Sequence, residues 1–121
     1  MVKCILIVDD DELVLIALRE LLKSENYEVH TFSRGSEALK KLDQEIFDLM
    51  VLDIVMPEMD GFELCRKIRE KETSRKTPII FLTAKNQEED KKRGLEAGGD
   101  LFLSKPISPK KFLSLIAETI G

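Results

Sequence analysis

The stretch Asp48-Leu49-Met50-Val51-Leu52-Asp53 decides the fold. Four consecutive apolar side chains stand there between two acids. A run this short and this uniformly apolar reads as a strand covered on both faces, which is the habit of parallel sheets. The pattern recurs. Cys4–Val8, Asp48–Leu52, Pro78–Thr83 and Leu101–Ser104 are continuous runs rich in Ile, Val, Leu and Phe. Tyr27–Phe32 alternates instead, which predicts an edge strand.

Helical spacing fills the intervals. Residues 12–24 carry Val14, Ala17, Leu18 and Leu21; residues 36–43 carry Ala38, Leu39 and Leu42; residues 61–71 carry Leu64, Cys65 and Ile68. A last helix from Pro109 carries Phe112, Leu113, Ile116 and Ile120. Ser108 suits its N-cap, with Pro109 at the first helical position. Asp60 suits the cap of the third helix, and Ser33 or Ser36 that of the second. The stretch 87–98 is the weakest helix. Its apolar residues are Leu95 and Ala97, and Gly94 inside it costs about 1 kcal/mol relative to Ala. It is expected to be the least stable helix and a moving part.

Strand and helix alternate five times in 121 residues. That predicts an α/β fold with right-handed crossovers. The chain is too short for an eightfold barrel, so a five-stranded doubly wound parallel sheet is expected, with residues 1–121 as one domain. The net charge of −4 argues against nucleic-acid binding. No run has the length of a membrane span or the flanks of a signal peptide, and the chain reads as cytoplasmic. Cys4 and Cys65 lie in apolar stretches without metal-like neighbours and read as reduced, buried thiols. His30 is the sole histidine; it reads as a solvent-facing strand residue, and a His-based metal site is excluded on that ground.

In such sheets ligands bind beyond the carboxyl ends of the strands. Strand one ends in Asp9-Asp10-Asp11, strand three in Asp53, strand four in Thr83-Ala84 and strand five in Lys105-Pro106. The fold would gather these ends at one rim. Two carboxylates about 4 Å apart repel by roughly 4 kcal/mol at an effective dielectric near 20, so the group needs a cation or must take up protons. Mg²⁺, a hard ion that binds carboxylates and phosphate oxygens, fits that need. An aspartate held beside it is a reasonable nucleophile toward phosphorus, with Lys105, Thr83 and backbone N–H groups receiving the phosphoryl oxygens. Asp11 reads as an acid favouring the N-terminal dipole of the first helix.

These segments resemble the receiver domains of two-component response regulators. The match runs through Ile5-Leu6-Ile7-Val8-Asp9-Asp10-Asp11, Asp48 to Asp53 with Ile54-Val55-Met56-Pro57-Glu58-Met59-Asp60-Gly61, Pro78 to Ala84, and Ser104-Lys105-Pro106. It covers essentially residues 3–120. The resemblance implies a flavodoxin-like (βα)5 sheet of order 2-1-3-4-5. It implies Asp53 as phosphoacceptor, with Asp9, Asp10, Asp53 and the Val55 carbonyl holding Mg²⁺, for which Mn²⁺ could substitute. Thr83 and Lys105 match the phosphoryl-binding pair, Ile54 and Ala84 the N–H donors, and Lys105-Pro106 a cis peptide. Phe102 matches an aromatic switch position. The resemblance further implies a sensor histidine kinase or histidine phosphotransfer protein as donor and a switched face formed by the fourth helix, fifth strand and fifth helix. That face would meet a downstream effector or a second copy in a phosphorylation-dependent homodimer. Such a chain is a switch and not an enzyme, apart from its own phosphorylation and slow self-dephosphorylation. Leu13 and Ile16, off the core face of the first helix, are expected to dock the donor.

Other readings are weaker. A haloacid-dehalogenase-like phosphohydrolase would want Asp-x-Asp-x-Thr, whereas Leu13 stands at the last position. A flavin-binding flavodoxin would need Ser, Thr or Gly donors where three acids stand. A receiver used as a phosphorylation-independent binding module remains an alternative. Both a stand-alone receiver and one fused to an effector fit the sequence.

Overall fold

Residues alternate sides along every strand, so each apolar run must meet cover on both faces. The computed structural model, which describes residues 1–121, provides that cover. The elements run β1 (Cys4–Val8), α1 (Glu12–Lys23), β2 (Glu28–Phe32), α2 (Gly35–Leu42), β3 (Leu49–Leu52), α3 (Gly61–Glu70), a 3₁₀ turn (Glu72–Ser74), β4 (Ile79–Thr83), α4 (Glu88–Ala97), β5 (Leu101–Ser104) and α5 (Pro109–Ile120). All strand pairs are parallel, in the order β2-β1-β3-β4-β5. The expected fold class and strand order hold.

Leu6, Val8, Met50, Leu52 and Phe81 face α2, α3 and α4, whose Ala38, Leu42, Leu64 and Ile68 complete one core layer. Ile5, Ile7, Leu49, Val51, Ile80 and Leu82 face α1 and α5, meeting Leu15, Leu22, Phe112 and Ile116. Each fully buried side chain of this kind contributes about 1.5–3 kcal/mol. Strand order reverses between β1 and β3, so the carboxyl ends of these two strands frame the crevice where such sheets bind ligands.

Several expectations need correction. The core face of α1 centres on Leu15 and Leu22, while Val14, Leu18 and Leu21 are only half-buried and Ala17 is exposed. Leu15 and Leu22, an i, i+7 pair, lie deepest in the core, with Leu18 and Leu21 packed against them at its margin. Neither Ser33 nor Ser36 caps α2; Arg34 occupies the N-cap without a side-chain bond. Asp48 and Pro78 precede their strands. β5 is an edge strand with only Leu103 buried. His30 is half-buried, packed edge-on against Phe47 with ring centroids 5.3 Å apart. Asp60 and Ser108 cap α3 and α5 as expected.

Candidate functional site at the carboxyl ends of the strands

The loop after β1 is built by its own acids. Asp9 accepts the Asp11 N–H (2.9 Å), and Asp11 accepts the Leu13 N–H (2.9 Å) as N-cap of α1. Asp11 therefore orients the helix, and Asp9 and Asp10 are left to the rim. Asp53 follows β3, 8% exposed, and its Oδ1 accepts the N–H of Ile54 at 2.7 Å. Oxygens of Asp9, Asp10 and Asp53 lie within 4.8 Å of one another.

Lys105 reaches this group across 52 and 96 residues of sequence separation. Its Nζ donates to Asp9 Oδ2 at 2.7 Å and to Asp53 Oδ2 at 3.1 Å. Burial alone would lower the ammonium's pKa, but its hydrogen bonds to the two carboxylates prevail and hold it above the usual lysine range. Burial, reinforced by the charge of Asp53, pushes Asp9 above the usual carboxylate range against the pull of Lys105. One ammonium thus stands against three carboxylates, and the pocket retains a negative excess. That donor set fits a hard divalent cation bound by oxygen.

Thr83, 1% exposed, ends β4 with its Oγ1 accepting the Lys85 N–H at 3.2 Å. The Ala84 N–H and the Val55 carbonyl make no hydrogen bond within the protein, so both remain available to a ligand. The Lys105–Pro106 peptide is cis. Phe102 is half-buried on β5, its ring 5.9 Å from that of Phe81. Leu13 and Ile16 are 76% and 56% exposed on α1.

The packing roles of two glycines near the site, Gly61 and Gly94, were not read from the sequence. A Cβ on Gly61 would collide with the Asp53 carbonyl oxygen, so only glycine lets α3 begin against the backbone of Asp53. A Cβ on Gly94 would meet Phe102 and Phe81 at 3.1–3.2 Å. A glycine inside an otherwise regular helix was the available signal for the second. Cys4 is half-buried and does have metal-type neighbours, contrary to the sequence reading: Cys4, Glu28, His30 and Glu45 converge at the other end of the sheet, so a sole histidine does not by itself exclude a mixed-ligand metal site.

The family model for the response regulator receiver domain matches residues 5–117. The chain is 45% identical over 109 residues to the alkaline phosphatase synthesis transcriptional regulatory protein PhoP of Bacillus subtilis, covering 90% of this chain and 45% of that one. The chain spans about half the length of the curated relatives it matches. Among solved structures, the chemotaxis protein CheY4 of Vibrio cholerae superposes with a TM-score of 0.94 at 32% identity, covering 98% of this chain and 99% of that one. The receiver domain of sensor histidine kinase PA1611 from Pseudomonas aeruginosa, solved with a magnesium ion in its active site cleft, gives 0.91 at 29% identity over 100% and 99%.

Proposed function

The chain belongs to the response regulator receiver domain family of two-component systems, and from that premise we propose that it accepts a phosphoryl group on Asp53 and relays it as a change of shape. The observation that carries this reading is the sharing of one Lys105 ammonium between Asp9 and Asp53 inside a three-carboxylate pocket. The family is a signalling switch and not a conventional enzyme, and its members bind Mg²⁺ at such a pocket. In this chain Asp9, Asp10, Asp53 and the Val55 carbonyl would hold the ion, which supplies positive charge where the phosphoryl oxygens gather.

The residues then divide the work. An Asp53 carboxylate oxygen attacks phosphorus, a P–O bond forms, and the P–N bond to a donor phosphohistidine breaks. Lys105 exchanges its bond to Asp53 for one to a phosphoryl oxygen, so no buried ammonium is left unpaired. The N–H groups of Ile54 and Ala84 stabilise the remaining charge. Thr83 turns its hydroxyl from the Lys85 N–H toward the new oxygens. The space it leaves admits Phe102, which carries no hydroxyl and acts by packing alone. That repacking biases the face formed by α4, β5 and α5 between two states.

The donor would be a sensor histidine kinase or histidine phosphotransfer protein, and the switched face would meet an effector or a second copy. Residues 1–121 would act in the cytoplasm as one receiver unit that does not itself contact nucleic acid. No helix is long and apolar enough to cross a membrane. Incubation with acetyl phosphate and Mg²⁺, followed by intact mass, is expected to show one added phosphoryl group. The gain should vanish in Asp53→Asn and with EDTA; a gain that survives either change rejects the proposal.

A further inference from the structure

At the end of the sheet opposite Asp53, four ligand-type side chains meet from distant parts of the chain. Parallel pairing sets Cys4 of β1 beside Glu28 of β2. His30, two residues further along β2, projects from the same face as Glu28. Glu45, in the connection from α2 to β3, closes the group. Cys4 Sγ lies 3.4 Å from Glu28 Oε2 and 3.7 Å from Glu45 Oε1. His30 Nε2 lies 2.7 Å from Glu28 Oε2 and 3.8 Å from Glu45 Oε1.

We propose that Cys4, Glu28, His30 and Glu45 form a four-coordinate site for a divalent transition metal, Zn²⁺ by the chemistry of its donors, separate from the pocket around Asp53. Bonds of about 2.0–2.3 Å in a tetrahedron place ligand atoms roughly 3.3–3.8 Å apart. The two Cys4–glutamate distances fall in that range, and the His30–Glu45 distance lies slightly above the N–O value. All four ligand atoms lie within 4.8 Å of one another. The shorter His30–Glu28 contact is a hydrogen bond that the ion would replace. A sulfur and an imidazole together select a borderline-soft metal over Mg²⁺ or Ca²⁺, and Zn²⁺ also takes carboxylate oxygen.

Neighbours hold the ligands in place. Lys41 Nζ engages Glu45 Oε2 at 3.1 Å, which leaves Oε1 facing the thiol and the imidazole. The Phe47 ring, set at 81° to the imidazole, fixes its plane. Binding forms a metal–sulfur bond as the Cys4 S–H gives its proton to solvent; His30 binds through Nε2 and keeps its proton on Nδ1. The bound ion ties β1 and the edge strand β2 to the α2–β3 connection. This inference is independent of the phosphoacceptor reading, because no ligand is shared.

The test titrates the reduced, metal-free chain with Co²⁺ in excess Mg²⁺, which fills the acidic pocket. The expected result is a near-ultraviolet thiolate-to-cobalt charge-transfer band with tetrahedral visible bands, saturating at one equivalent and displaced by Zn²⁺. Cys4→Ser should lose the charge-transfer band, while Cys65→Ser and Asp53→Asn keep it. His30→Gln and Glu45→Gln should each weaken Co²⁺ binding by at least about tenfold. No charge-transfer band in the unaltered chain, or a band that survives Cys4→Ser, overturns the proposal and leaves a hydrogen-bonded cluster only.

Discussion

At the scale of single residues, Lys105 is the most informative side chain. Its ammonium is held above the usual lysine range by two carboxylates that outweigh its burial. A folded-state pKa above the unfolded one means stability that is whole below about pH 10.4 and lost as pH rises through the folded value. In EDTA, the unaltered chain should therefore melt above Lys105→Met near neutrality, and the gap should close on alkaline titration. A melting difference that stays constant through that range contradicts the assignment. On the proposed function, Val55 and Lys85 would bear on the lifetime of a phosphoryl group at Asp53. Val55 is 60% exposed and apolar, and Lys85 is drawn to Asp90 with a 3.4 Å ion pair. Neither offers an acid or amide to orient an attacking water. Self-dephosphorylation of the isolated chain should take minutes or longer; decay within a few seconds, followed by loss of the added mass, would show otherwise.

At the scale of elements, the least apolar helix has compensations in its ends. Gln87 and Asp90 form a capping box at the start of α4, and Gly98, with φ 112°, closes it in the left-handed conformation. Its buried contribution is small: Asp90, Gly94 and Ala97. Gly94, which reads in sequence as a weakness, is a fit, because Phe81 and Phe102 fill the space a side chain would take. The Phe102 ring, the proposed switch, thus rests directly on the helix expected to move. Arg69 of α3 joins the elements around it. It donates to the carbonyls of Gly98 (2.9 Å), Ser74 (3.0 Å) and Thr77 (2.6 Å) and pairs with Asp100 at 3.0 Å. Asp100 in turn accepts the Ile79 N–H at the start of β4. Arg69→Ala should cost about 2–3 kcal/mol in denaturant unfolding, and Arg69→Lys should recover only part, since an ammonium lacks the planar fork. A loss under about 0.5 kcal/mol would place Arg69 among ordinary surface residues.

At the scale of the whole molecule, the two ends of the sheet carry different chemistry: oxygen-rich at the carboxyl ends, sulfur and imidazole at the amino ends. Beside the acceptor, Val14, Ala17, Leu18, Leu82, Pro106 and Ile107 line an apolar groove that includes Lys105. On the proposed function, this groove together with exposed Leu13 and Ile16 on α1 would give a phosphoryl donor an apolar seat next to Asp53. Changing both Leu13 and Ile16 to Ser should slow transfer from the cognate kinase with little change in melting temperature; unchanged transfer would remove α1 from the docking surface. Much of this was legible from local pattern alone. Four continuous apolar runs and one alternating segment marked the five strands, their interleaving with helical patterns marked the α/β class, and the motif order placed Asp9, Asp10, Asp53, Thr83 and Lys105 at strand ends. These features are local, because strand burial and helix caps are written in neighbouring residues. The tertiary structure decided the rest. Packing of α1 on the sheet buried Leu15 and Leu22, left Val14 half-buried and put Ala17 in solvent. Close backbone approach demanded Gly61, and the pairing register of β1 with β2 brought Cys4 to Glu28 and His30. Such meetings depend on distances between residues far apart in the chain, and no periodicity within a single segment records them.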